Sequence, residues 1–279
     1  ALQISDNRVS LIYIEEAIMP ETTLITREKN NHIFLIGLNR PTKKNAFNLA
    51  MLRELSIAIG EYESDDNLRV AIIFAHGECF TSGLDLMDVA PVMSSDEGIV
   101  LQGTYDPLGV HGKARTKPMI CAVHGLCLTL GIELMLAADI NIVADNTKMA
   151  QIEVKRGIFP FGGANQRWVA LSGWGNAMRY LLTGDEFDAA EAYRMGIAQE
   201  IVPVEQVLTR AVQIAETIAQ QAPLAIKATL HSANLAIEKG QQAAFSQLVP
   251  QIKQLMQTQD AMEGVMSFMQ RRPAVFKGL

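Results

Sequence analysis

No apolar run in this 279-residue chain reaches the roughly 18 to 20 residues that a helix needs to cross a bilayer. No membrane span or membrane partner is therefore expected. Basic residues do not gather into long blocks, and the formal net charge is −6. That balance leaves a nucleic-acid partner without support. Cysteine is scarce. Cys79, Cys121 and Cys127 are an odd number without the spacing of a metal site, so no metal is expected. Cys121 and Cys127 lie in apolar sequence and read as buried thiols. Residues Ala1 to Ile18 lack the basic start of a signal peptide, and Asp6, Glu15 and Glu16 interrupt their apolar pattern. Reduced thiols and no secretion signal together predict a cytoplasmic protein. Met19-Pro20 leaves a second reading open, in which the first residues are an extension. Low-complexity tracts and exact internal repeats are also missing.

What is present is ample material for a core: 49% hydrophobic and 19% charged residues. The length suits one large domain, or one domain with an appendage. Thr23 to Arg27 and Ile33 to Leu38 alternate as two strands, joined by the turn-rich Glu28-Lys29-Asn30-Asn31. Asn48 is placed to cap a helix reaching about Ser64, with Met51, Leu52, Leu55, Ile59 and Tyr62 at helical spacing. Val70 to Ala75 is a continuous apolar run, Met119 to Val123 is an apolar strand candidate, and Ile140 to Val143 is a further apolar strand. The first suits a strand buried on both faces. Asp88 to Thr116, with scattered Gly, Pro and Ser, reads as a long irregular connection. Gly173 to Leu182 and Ala189 to Met195 read as helices. After Val202-Pro203 the pattern is almost wholly helical, over Val204 to Gln221, Leu224 to Lys239 and Gln241 to Gln270. The fold class is therefore α/β. Its expected divisions are an extension over 1–21, a core over 22–203 and a helical C-terminal region over 204–279.

The stretch from His124 to Gly163 is the least generic. A helix expected over Leu130 to Ala138 is apolar on nearly every face, which marks a buried helix. Glu133 nevertheless sits inside it. Glu153 closes the short run Met149-Ala150-Gln151-Ile152 before a glycine- and proline-rich turn. Carboxylates are rarely buried without a partner or a task. Two readings stand for each. Glu133 is a catalytic group, or a carboxylate serving the free N–H groups of its own helix. Glu153 is a catalytic group, or a structural partner of Lys155 and Arg156. His124 reads as a turn histidine satisfied by backbone, and Trp168 and Trp174 as packing residues.

In order along the chain come Asn39-Arg40-Pro41 with Asn45-Ala46, then Phe80-Thr81-Ser82-Gly83-Leu84-Asp85-Leu86. Lys117-Pro118 with Ala122-Val123-His124-Gly125 follows, then Gly131-Ile132-Glu133-Leu134 with Ala138-Asp139. Glu153 with Gly157-Ile158-Phe159-Pro160, and Leu182-Thr183-Gly184 with Ala189-Ala190-Glu191-Ala192 and Gly196, complete the series. In this order and spacing the chain resembles the crotonase superfamily, the enoyl-CoA hydratase/isomerase family, over about Thr22 to Lys277.

The resemblance implies a crotonase-like spiral of ββα turns with a helical C-terminal region involved in oligomerisation, as a trimer or a dimer of trimers. It implies an acyl-CoA thioester substrate and no cofactor beyond the coenzyme A that the substrate carries. Matched by motif, the oxyanion donors are the N–H groups of Leu84 and Leu130. Substrate and CoA contacts fall on Ala46, Ser82, Gly83, Asp85, Leu86, Gly131 and Arg271. Gly83 and Gly131 allow close approach of backbone to substrate, or simply serve tight turns. Arg271 and Arg272 meet CoA phosphates, or form a solvated basic end.

Family members that hydrate a double bond carry two glutamates, and Glu133 and Glu153 occupy both matching positions. The implied activity is hydration of a trans-2-enoyl-CoA. The alternatives are a Δ3,Δ2-enoyl-CoA isomerase working through Glu153 alone, and a non-catalytic acyl-CoA binder. The chain departs from the pattern in three places. Thr129-Leu130-Gly131 replaces a run of glycines, Leu84 replaces a small residue, and Met87 stands where many members have a lysine.

Overall fold

The structure is a computed structural model and describes residues 23–93 and 103–279. The expected extension at 1–21 and part of the expected irregular connection, 94–102, lie outside the described residues. β2 (Ile33–Leu38) is buried along its whole length and anchors the larger sheet. β1 (Ile25–Asn30) pairs with it antiparallel, with Asn30 opposite Ile33. The sequence predicts a four-residue turn here, but Glu28 to Asn30 remain in the strand. The reason is local. Asn31 takes a positive φ of 52°, which closes the hairpin in two residues. On the other side β3 (Val70–Ala75), β4 (Met119–Val123), β6 (Ile140–Ala144) and β9 (Glu200–Val202) follow, all parallel. The sheet order is β1-β2-β3-β4-β6-β9.

Both faces of this sheet are covered, as its continuous apolar strands require. One face carries α1 (Leu49–Ser64), capped by the Asn48 side chain accepting from Met51 N at 2.9 Å. Met51, Leu55, Ala58, Ile59 and Tyr62 are its buried stripe. The other face carries α7 (Val207–Ala219). Val207, Ala211, Ala215 and Ala219 repeat every four residues and pack with Ile33, Leu35, Ile72, Ile120 and Ile142. Three alanines in that stripe let the helix lie close to the sheet. The first helix past Pro203 is thus part of the sheet's own packing.

A smaller sheet holds β5 (Leu126–Leu128), β7 (Lys148–Ala150) and β8 (Phe187–Asp188). Two single parallel bridges, Thr81 with Cys127 and Phe47 with Leu84, carry it outward. After β3, β4 and β6 the chain therefore makes the same move. It takes one short step in the second sheet and then turns into a helix. The three helical pieces are α2 (Leu86–Met93), α3 (Leu130–Ala137) and a 3-10 turn (Glu153–Arg156). This repetition brings Leu84, Leu130 and Glu153, residues far apart in sequence, past the same end of the parallel strands of the small sheet.

α2 corrects the expected irregular connection, because Asp88 to Met93 are helical. Asp85 starts the helix by accepting from the N–H groups of Asp88 and Val89, and Val89 is buried. The remaining elements are α4 (Ala164–Ser172), α5 (Trp174–Leu181), α6 (Ala189–Arg194), α8 (Pro223–Lys239), α9 (Gln241–Leu255) and α10 (Gln259–Gln270). The long pattern from Gln241 to Gln270 breaks at Thr258, whose hydroxyl accepts from Ala261 N and starts α10. Trp168 is fully buried and stacks on Tyr180. Trp174, expected to pack, is 71% exposed, because it opens α5 on the outer surface. Among the described residues no helix is long and apolar enough to cross a membrane.

Candidate active site

Glu133 lies one turn into α3 and is only 3% exposed. Its carboxylate does not serve its own helix. Glu133 Oε1 accepts from Gly162 N at 2.7 Å and from Ala164 N at 3.3 Å, at the start of α4. A helix start supplies unpaired N–H groups, and here they fix the carboxylate from across the site. Burial pushes the Glu133 carboxyl above its ordinary range, and those two N–H groups pull it back in part. The turn before α4 is closely fitted to this group. A Cβ at Gly162 would lie 2.5 Å from both Glu133 Oε2 and Leu108 Cδ1.

Glu153 opens the 3-10 turn and is 7% exposed. Neither Lys155 nor Arg156 pairs with it. Lys155 reaches toward Asp185, and Arg156 turns to the Lys155 carbonyl. The partner is Gln151, whose Nε2 donates to Glu153 Oε1 at 2.9 Å, while Glu153 Oε2 is buried without a hydrogen bond among the described residues. Burial raises the Glu153 carboxyl to about 7, and the charge of Glu133 adds to the rise. The two acids are therefore held differently. One is fixed by backbone donors, and the other is left protonated near neutrality with a free oxygen.

Leu84 and Leu130 provide the complementary feature. Among the described residues, neither of their N–H groups has an acceptor, although the N–H groups of Ser82, Gly83 and Asp85 all do. The orientation follows from peptide planarity. The Gly83 carbonyl accepts from Phe47 N at 2.8 Å, so the Leu84 N–H points the opposite way. The Thr129 carbonyl accepts from Ile132 N and Glu133 N, which aims the Leu130 N–H backward off the end of α3. Thr129 reaches this geometry at φ 48°, a conformation rare for a β-branched residue. Such a pair of unpaired N–H groups is suited to an anionic oxygen.

The other residues singled out from sequence are placed less uniformly. Gly83 and Gly131 face protein. A Cβ at Gly83, where φ is 94°, would strike Thr129 Oγ1. A Cβ at Gly131 would come 2.5 Å from Thr81 Cγ2 and 2.9 Å from Cys127 Sγ. Both glycines let two chain segments approach each other. The Ala46 carbonyl and the Asp85 carboxylate share one Arg40 Nη1, at 2.9 and 2.8 Å. Ser82 N donates to the Lys44 carbonyl. Leu86 and Met87 are exposed at the start of α2. Arg271 ends α10 in an exposed left-handed cap, whereas Arg272 is engaged by Glu263. His124 Nε2 meets the Gly77 carbonyl at 2.9 Å, the backbone contact expected of it. Cys121 and Cys127 are buried free thiols.

Sequence reading misses Gln151, the backbone of Gly162 and Ala164, and Arg167. The side chain of Arg167 bonds the carbonyls of Leu108, Gly109 and Gly162. For Gln151 a signal exists, a polar residue inside the otherwise apolar run 149–152.

Comparison with known proteins gives a consistent result. The profile of the family described as enoyl-CoA hydratase/isomerase matches residues 28–279. The 2,3-dehydroadipyl-CoA hydratase of Escherichia coli K12 is 30% identical over 250 residues, covering 90% of this chain and 97% of that protein. The chain belongs to the enoyl-CoA hydratase/isomerase family. A solved structure of a probable enoyl-CoA hydratase/isomerase from Mycobacterium abscessus superposes with a TM-score of 0.88 at 49% identity. That match covers 92% of this chain and 99% of the other. The enoyl-CoA hydratase of Mycobacterium tuberculosis H37Rv gives 0.83 at 31%, with the same coverage. The architecture is thus the crotonase fold, and the two buried glutamates and paired N–H groups sit within the matched region of an enoyl-CoA hydratase/isomerase family member.

Proposed function

We propose that this chain is an enoyl-CoA hydratase that adds water to a trans-2-enoyl-CoA to give a 3-hydroxyacyl-CoA. The N–H groups of Leu84 and Leu130 take the thioester oxygen and stabilise the enolate charge that builds on it. Glu133 removes a proton from the water, whose oxygen bonds to C3. Glu153, protonated near neutrality, delivers a proton to C2. Atoms balance as the sum of enoyl thioester and water. The observation that carries the reading is the unequal pair itself. Two buried carboxyls, one clamped by backbone N–H groups and one raised to about 7, supply a base and an acid at one pH. An isomerase needs only the second, and a binder needs neither.

Leu86, Ser82 and Ala46 line the approach for the CoA portion in this reading, with Arg271 reached from another copy of the chain. Supporting a second copy, α9 and α10 expose Phe245, Val249, Ile252, Met262, Phe268 and Met269. An apolar surface of that extent favours burial in an assembly, here a trimer or a dimer of trimers. The test of the activity is loss of enoyl absorbance on a series of trans-2-enoyl-CoA thioesters, with mass spectrometry for a gain of one water. Double-bond migration without water uptake would replace the hydratase by an isomerase.

A further inference from the structure

Thr81 is fully buried, on the segment that carries Leu84 and against the segment that carries Leu130. Its backbone joins it to β5: the Thr81 N–H donates to the Leu126 carbonyl and its own carbonyl accepts from Leu128 N, both at 3.0 Å. β5 runs directly into Thr129 and Leu130. The side chain faces both ways. Its hydroxyl donates to the Asn45 carbonyl at 2.7 Å and accepts from Gly83 N at 3.0 Å. Its methyl, Cγ2, fills the space left by the missing Cβ of Gly131.

The anchor for the hydroxyl is rigid. Asn45 is fully buried, and its side chain accepts from Arg40 N and donates to the carbonyls of His76 and Cys79. Gly83 is therefore held on both sides. Thr81 Oγ1 takes its N–H, and Phe47 N takes its carbonyl. With both flanks fixed, the planar peptide that follows has one orientation, and its Leu84 N–H faces away from Phe47. The same side chain packs against the first turn of α3, one residue past Leu130.

We propose that Thr81 is a positioning residue that sets the distance and angle between the Leu84 and Leu130 N–H groups, its hydroxyl orienting the first donor and its methyl seating the helix that bears the second. This rests on the hydratase reading above. An oxyanion site works through fixed donors, so a small rotation of one of them weakens it in the transition state more than in the ground state.

Three variants separate the hydroxyl from the packing: Thr81→Val keeps the shape, Thr81→Ser keeps the hydroxyl, and Thr81→Ala keeps neither. Two readouts are taken with wild type in parallel. One is steady-state kcat and KM on an enoyl-CoA that wild type hydrates. The other is the absorbance shift of a bound 3-aryl-2-enoyl-CoA, whose conjugated carbonyl reports how strongly its oxygen is polarised. Thr81→Val is expected to lose roughly tenfold or more in kcat, part of the effect of removing a donor outright. Its KM should stay within about twofold and its chromophore shift should shrink. Thr81→Ser, which loses only the methyl, should fall between wild type and Thr81→Val in both kcat and shift. A Thr81→Val enzyme with wild-type kcat and shift overturns the proposal, as does a Thr81→Ser enzyme as impaired as Thr81→Val. If Thr81→Val does not fold, the comparison passes to Ser against Ala, and equal kcat and shift in that pair overturns it too. A wild-type enzyme inactive on every enoyl-CoA instead removes the hydratase reading. The chromophore shift then still tests whether Thr81 orients the pair.

Discussion

Gly162 N donates to Glu133 Oε1 at 2.7 Å, and a Cβ on the same glycine would lie 2.5 Å from Glu133 Oε2. One residue thus both holds the carboxylate and, by lacking a side chain, leaves the space that the carboxylate occupies. Gly162→Ala is expected to push Glu133 out of line. Misplacement of about an ångström costs roughly 10²-fold. Measured kcat/KM on an enoyl-CoA should fall by about that factor while the protein stays folded by circular dichroism. An unchanged rate would mean that this contact does not place Glu133.

Removing either acid tests the division of labour. Glu133→Gln and Glu153→Gln should each lower kcat by roughly 10² to 10⁴-fold, the usual contribution of a general acid or base. If only Glu153→Gln abolishes turnover while Glu133→Gln retains the wild-type rate, a one-carboxylate isomerisation is the better description. Product analysis with labelled water then decides between them.

The raised Glu153 carboxyl gives a pH dependence with a definite sign. Its protonated form is the proton donor, so kcat/KM should decline as pH rises through about 7. Gln151 donates to the ionised form and holds the value down. Gln151→Leu should therefore move that alkaline limb to higher pH. A limb that stays in place would show that another group controls it.

Stability follows from the same linkage. Between 4.5 and about 7 the folded chain holds a proton on Glu153 that the unfolded chain has released. Stability contributed at this position is thus present at low pH and lost as pH rises through that window. Glu153→Gln removes the penalty. It should be more stable than wild type at pH 8, by on the order of 2 to 3 kcal/mol, and gain nothing at pH 4. Denaturant melts at the two pH values measure the difference.

The exposed apolar faces of α9 and α10 predict assembly. Light scattering should give a trimer or a multiple of it. Placing charge there, with Phe245→Glu and Val249→Glu, should shift the mass toward monomer. A wild-type monomer at all concentrations would leave those faces unexplained.

Many of these elements are legible in the residues alone. β3 and β4 stand out as continuous apolar runs, β6 as a mostly apolar one, and α1 as Asn48 followed by a helical stripe. The apolar girth of α3 marks it as buried and makes Glu133 conspicuous. The differences between expectation and fold have local causes. Asp88 to Met93 resembles a loop because Pro91 sits inside the helix, and the β1–β2 turn reads as long because Glu28-Lys29-Asn30-Asn31 is turn-rich, although only Asn31 of the four takes positive φ. Trp174 suggests core by residue type alone, but nothing in its neighbours places it inside.

The sequence by itself determined many of the elements, the fold class and the two acids, because periodicities of two and 3.6 residues and the cost of burying charge are written in adjacent residues. Tertiary structure alone decided what each acid meets. The donors to Glu133 lie 29 and 31 residues away, and Thr81 reaches Asn45 across 36. Such pairings form only when the spiral stacks its second sheet. A backbone N–H carries no side-chain signature, so its role depends entirely on where the closed chain points it.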